Sequence, residues 1–134
     1  MVEKIRRVVT GHDGSGMAII AMDGEAQNIR VRKANGLTST LLWVEDETPS
    51  DNPGNIDKAG RDIGVAPPDG GSVFRIVDFT PDTDGVSNEE MKKELGLDPD
   101  SSGPVRHPGM HRTRSVDYGI VLSGEIDMLV DEDE

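Results

Sequence analysis

The sequence predicts an all-β fold, and three observations predict it. Apolar residues recur in short runs rich in Val, Ile, Leu and Thr rather than at helical spacing. The runs are separated by turn chemistry, with 16 glycines and 8 prolines in 134 residues. A helix start signal is carried by one short stretch. The length suits a single domain, 1–134, built around one core. The apolar fraction of 34% lies below the roughly 45–50% (Gly included) of an ordinary globular domain.

The elements follow in order. Ile5 to Thr10 and Met17 to Met22 are β-branched runs flanking Gly11-His12-Asp13-Gly14-Ser15-Gly16, which reads as a hairpin with a glycine-containing loop. His12 falls in that loop as a solvated turn residue, and Arg6 and Arg7 fall on a strand face, with one of them expected to pair with the acidic middle of the chain. Thr38 to Val44 is the next strand, ended by the turn-rich segment from Asp46 to Gly54. Ser72 to Phe79 alternates, with Val73, Arg75 and Val77 on one face and Phe74, Ile76 and Asp78 on the other.

A short helix is expected near 87–95. Ser87 and Glu90 have capping-box spacing, Val86 and Met91 form a hydrophobic staple, and Gly96 stands where a C-terminal cap belongs. Strand pattern then returns: Val116 to Leu122 and Glu125 to Val130 flank Ser123-Gly124, a hairpin signal. The acidic residues 131–134 stand where the next turn would be. This pattern predicts a β-fold incomplete at its C-terminal end, with its last strand lacking a partner.

Charge is uneven. The formal net charge is −12, which repels a phosphate backbone and disfavours nucleic-acid binding. Residues 1–44 carry +2, residues 45–100 carry −10 and residues 101–134 carry −4. The segments 45–71 and 80–104 therefore read as acidic, loop-rich surface. The absence of cysteine excludes disulfides, thiolate zinc sites and cysteine nucleophiles. No apolar stretch approaches the roughly 20 residues of a membrane helix, and the N-terminal run is too short for a secretory signal, so a cytoplasmic location is expected.

Two apparent motifs fail. The loop 11–16 lacks the Lys of a phosphate loop and the glycine order of a nucleophile elbow. Asp98-Pro99-Asp100 opens like a calcium loop, but its twelfth position is Gly109 instead of Glu.

The segment from Gly103 to Gly124 carries more. It contains His107 and His111, and Pro108-Gly109 prevents a helix from setting them on one face. If His111 to Thr113 is extended, His111 and Thr113 share a side and Arg112 takes the other. Asp117 then opens the next strand and faces the same cavity. An imidazole with a carboxylate is a partial ligand set for iron, zinc, manganese or nickel, though such a pair is more often a structural hydrogen bond.

The spacing resembles the cupin superfamily, in its small single-domain type. His111-x-Thr113, three residues, Asp117, six residues and Gly124 fall on the first cupin motif. Leu42 to Glu47 and Gly70 to Phe79 also look like that subgroup. The resemblance implies a jelly-roll β-barrel with its site in the mouth. It makes His111 the first motif histidine, puts Asp117 in place of the motif Glu and Thr113 in place of the second histidine. The second cupin motif is absent from this sequence.

These readings lead to one expectation with two alternatives. The first is a small-molecule-binding barrel acting as a metal-dependent oxidoreductase, dioxygenase-like or lyase-like enzyme on a small organic acid or phenolic compound. His111, Asp117 and His107 would hold a divalent iron, zinc, manganese or nickel, and Thr113, Tyr118, Arg112 and Trp43 would line the ligand pocket. The alternatives are a metal-free ligand-binding or regulatory cupin and an acidic protein-interaction module. A homodimer is expected through sheet edges, with the hairpin 5–22 pairing with a partner subunit.

Overall fold

The structure, a computed structural model, describes residues 4–33, 36–81, 87–95 and 110–132. The fold is all-β with one short helix among these residues. Strands β1 (Arg6–His12), β2 (Ala18–Glu25), β3 (Ile29–Val31), β4 (Thr38–Glu45) and β5 (Ser72–Asp78) precede α1 (Asn88–Leu95). Two compact units result: Met1–Ile63 with Pro67–Asp82, and Gly64–Ala66 with Thr83–Glu134.

All five strands belong to the first unit. β1 and β2 form an antiparallel hairpin, with Val9 opposite Met22 and Thr10 opposite Ile20, so Ala21 is an extra, bulged residue. Its turn is organised by Asp13, whose Oδ1 accepts from the Ser15 amide (2.9 Å), the Ser15 hydroxyl (2.6 Å) and the Met17 amide (3.0 Å). These donors hold the Asp13 carboxyl below the ordinary carboxylate range, the Ser15 side chain most of all. β1 extends two residues beyond the run read from sequence, so His12 ends a strand instead of sitting in the loop.

The second sheet has the order β3-β4-β5, antiparallel throughout. β3 is only three residues long and was not foreseen. A second bulge decides how β4 meets its surroundings. Leu41 lies opposite Arg75 and Trp43 opposite Phe74, leaving Leu42 as the extra residue. Strict alternation would separate Leu41 from Val44. The bulge instead brings both to the face that carries Val73 and Arg75, where Leu41, Val44 and Ala59 form the buried core with Ile63 and Val73 packed against it. Val44 is fully buried.

The bulge frees a carbonyl, and the chain supplies its donor. Arg7 Nη1 donates to Leu42 O at 2.9 Å and to Asp57 Oδ1 at 2.8 Å, and Arg7 Nη2 pairs with Asp57 Oδ2. The expected pairing of an N-terminal arginine with the acidic middle is thus made by Arg7. Arg6 pairs instead with Asp23, its own cross-hairpin neighbour. Asn28 Nδ2 donates to the Ala59 and Arg61 carbonyls, both at 2.7 Å. These contacts pin the irregular segment after Asp57 over one face of the three-stranded sheet.

In the second unit α1 begins as predicted. The Glu90 amide donates to Ser87 Oγ at 3.3 Å, and Ser87 Oγ donates to Glu90 Oε2 at 3.1 Å. The staple of Val86 and Met91, Gly96 and His107 lie outside the described residues.

The C-terminal hairpin requires a correction. Gly124 makes the turn with φ of 76°, but neither 116–122 nor 125–130 joins a β-ladder, and His111 to Thr113 is not a strand. Val116, Ile120, Leu122, Ile126 and Met128 are exposed, so no buried face fixes a register. A two-stranded ribbon without a packed face is marginal in water.

Candidate functional site

The residues singled out by the His–Asp spacing lie in the second unit. The segment 111–118 has no ladder partners and bends at Arg114 and Ser115. Thr113, Ser115 and Asp117 are linked there by a strip of side-chain hydrogen bonds. Ser115 Oγ donates to Asp117 Oδ1 at 2.8 Å. The Ser115 proton is thereby committed, so Ser115 accepts from Thr113 Oγ1 across 2.7 Å. Both hydroxyl dipoles therefore run toward the Asp117 carboxylate. Ser115 is the member of this strip that motif reading passed over, although its i, i+2 spacing from Thr113 and Asp117 was visible.

His111, Arg112 and Asp117 are exposed, Thr113 is half-buried, and Tyr118 is 92% exposed. Among the described residues no group of three or more His, Asp or Glu side chains is placed to hold a metal ion. First-row metals in proteins typically take three or four side-chain donors. His111 and Asp117 are two, and Thr113, whose hydroxyl is directed at Ser115, replaces neither a histidine nor a carboxylate. The described donor set does not by itself fit such an ion.

Trp43 belongs to the first unit. It is half-buried, and its Nε1 donates to Glu45 Oε1 at 2.7 Å. Glu45 Oε2 accepts from Lys58 Nζ, also at 2.7 Å. The carboxyl of Glu45 is held below its usual range, first by the Lys58 hydrogen bond and then by Trp43. The same pairing raises the Lys58 ammonium above its usual value. The indole is thus oriented by a saturated carboxylate, a network that sequence spacing alone did not reveal because Lys58 lies 13 residues from Glu45. No helix among the described residues is long and apolar enough to cross a membrane.

Comparison with known proteins bears on the cupin resemblance. No family profile matches the chain. The chain is similar to the cupin-domain-containing oxidoreductase fogC of Aspergillus ruber, 26% identical over 136 residues, covering 99% of this chain and 55% of that protein. Similarity to the cupin-domain-containing oxidoreductase srdD of Neurospora crassa is 27% over 135 residues, covering 99% of this chain and 57% of the relative. Phomopsin biosynthesis cluster protein C' of Diaporthe leptostromiformis is 30% identical over 134 residues, covering 96% and 58%. The chain therefore spans a little over half the length of these relatives. The likeness runs through nearly all of this sequence and supports the cupin resemblance.

Proposed function

We propose that the chain is a cupin-type protein of the oxidoreductase-related group, with a jelly-roll barrel that binds a small organic acid or phenolic compound. The observation that carries this reading is similarity along 99% of the chain to proteins named as cupin-domain-containing oxidoreductases. The strip Thr113–Ser115–Asp117 supports it chemically. The Ser115 hydroxyl donates to one oxygen of Asp117 and is itself backed by Thr113, a relay that stabilises the charged carboxylate and fixes its orientation. The other oxygen of Asp117 is then an acceptor for a ligand hydroxyl. Thr113 and Ser115 orient that acceptor, and Arg112 and Tyr118 are the further pocket-lining residues of this reading.

A second reading is a metal-free ligand-binding or regulatory cupin. It is favoured by Thr113 standing at the second histidine position. Elemental mass spectrometry on untagged protein separates the two. Near-stoichiometric iron, zinc, manganese or nickel that falls in His111→Ala and in His107→Ala supports the metal-dependent enzyme, with both histidines and Asp117 as donors. No retained metal after reconstitution supports the metal-free reading.

A homodimer through the N-terminal hairpin belongs to the same proposal. Val8, Met17 and Ile20 are exposed on that hairpin, and a two-stranded ribbon presents open edges for pairing. Light scattering behind size-exclusion chromatography tests it, and a mass of 14.4 kDa at all concentrations would refute it.

A further inference from the structure

We infer that the first unit contains a separate binding site for the oxyanion of a small molecule, set between the β3-β4-β5 sheet and the segment that follows Asp57. Three guanidinium groups, those of Arg30, Arg61 and Arg75, line this pocket together with Asn28 and Ser39, and no carboxylate is among its lining residues. That concentration of positive charge stands out in a chain of net charge −12.

The placement follows from register. Arg30 lies opposite Ser39 across β3 and β4, and Arg75 lies opposite Leu41 across β4 and β5. Ser39 and Leu41 share a face, so the flanking strands present Arg30 and Arg75 on either side of the same stretch of β4. Arg61 arrives from the covering segment, whose carbonyls at Ala59 and Arg61 are held by Asn28. The apolar floor is Leu41, part of the buried core, with Ile63 beside it. A platform of this kind sets three arginines around one pocket on backbone that is already ordered, which lowers the cost of ordering on binding.

The arginines are engaged within the protein: Arg30 pairs with Asp62, Arg61 pairs with Asp46 at 2.6 Å, and Arg75 makes an interaction of its own. Both partner side chains are more than half exposed. Such pairs are weak in water, so an oxyanion that meets several guanidiniums at once competes for them. Arginine forks match the two oxygens of a carboxylate or phosphate. The pocket is partly open to solvent, with a volume of about 10 Å³, room for a water-sized group at its base. The site therefore takes the terminal oxyanion of a ligand and leaves the rest of the molecule outside. It shares no residue with the segment 111–118, so it stands or falls independently of the function proposed above.

The test is a titration of the full-length ¹⁵N-labelled chain with inorganic phosphate and, separately, with succinate, chloride being exchanged to keep ionic strength constant. Saturable shifts at the amides of Ser39, Leu41 and Arg75 and at the arginine Nε groups are expected. Arg61→Gln and Arg75→Gln should each weaken binding about tenfold, the loss of one charge-assisted pair. Arg6→Gln, on the hairpin, should leave it unchanged. Arg61 lies on an exposed segment, so its variant keeps the test valid if Arg75→Gln fails to fold. Saturation by phosphate alone assigns a phosphate-bearing ligand, and saturation by succinate alone assigns an organic acid. Linear shifts without saturation, or equal affinity in Arg61→Gln, would overturn the site.

Discussion

Replacing Thr40 by Val is expected to stabilise the protein. Thr40 sits on the central strand β4, opposite Ile29 and Ile76. It is 1% exposed, and among the described residues its hydroxyl has no hydrogen-bond partner. A hydroxyl buried without a partner costs roughly 1–3 kcal/mol relative to water. Valine keeps the β-branch and strand preference, while the methyl is slightly larger than the hydroxyl and returns a fraction of the gain as crowding. The net expectation is about 1–2 kcal/mol of added stability, or about 3–8 °C in midpoint for a chain of this size. Urea unfolding followed by the fluorescence of Trp43, the single tryptophan, measures it as a higher midpoint at unchanged slope. Thr38→Val is the control, because the Thr38 hydroxyl donates to Gly36 O, though at a long 3.5 Å, and its loss should be near neutral. Equal or lower stability of Thr40→Val at unchanged slope would refute the reasoning, since the hydroxyl would then be stabilising where it stands.

Other outcomes follow from the same contacts. Arg7→Ala removes a half-buried ion pair and strips the donor from the bulged Leu42 carbonyl, so it should cost roughly 1.5–3 kcal/mol in a urea melt. Arg6→Ala loses only an exposed pair and should cost within about 0.5 kcal/mol. Asp57 is held below the ordinary carboxylate range, mainly by Arg7, and Glu45 likewise by Lys58. Their stabilisation is complete above the unfolded values near pH 4 and is lost as pH falls through the lower folded values. An acid titration of stability should therefore flatten in Asp57→Asn. A Cβ at Gly71 would collide with the backbone carbonyl of Glu45, whereas one at Gly24 meets nothing. Gly71→Ala should then lose roughly 2–4 kcal/mol and Gly24→Ala stay within about 0.5 kcal/mol, as read by thermal unfolding.

The elements legible in sequence were those whose local chemistry agrees with their packing. Asp13 and the glycines around it specify the first hairpin, and the alternation from Ser72 to Asp78 matches a strand whose Val73 and Arg75 turn toward the core side. Ser87 and Glu90 mark the start of α1 for the same reason. β3 was missed because three residues are too few for a period to emerge between Asn28 and the basic Arg32-Lys33. The 116–130 pattern misled in the opposite sense: its alternation and its Gly124 turn are present, but no packed face rewards pairing. At the site, the spacing of Thr113 and Asp117 was legible, but the Ser115 link between them was not. The convergence of Arg30, Arg61 and Arg75 was not, because it arises from strand register and a covering segment joining residues far apart in the chain.

The extra residue in β4 also makes that strand a phase shifter. Its first half and its last half run on opposite counts, so a given parity of residue number points inward before Leu42 and outward after it. Deleting Leu42 would restore a single count without turning any residue over, because Trp43, Val44 and Glu45 would follow Leu41 in the register and on the faces they already hold. The casualty would be Arg7, which would lose the carbonyl it reaches. Inserting a residue between Trp43 and Val44 would instead turn Val44 and Glu45 over together unless it too bulged out. A deletion at Leu42 is therefore the length change that the middle of β4 should absorb most readily, and an insertion beside it the one it should refuse.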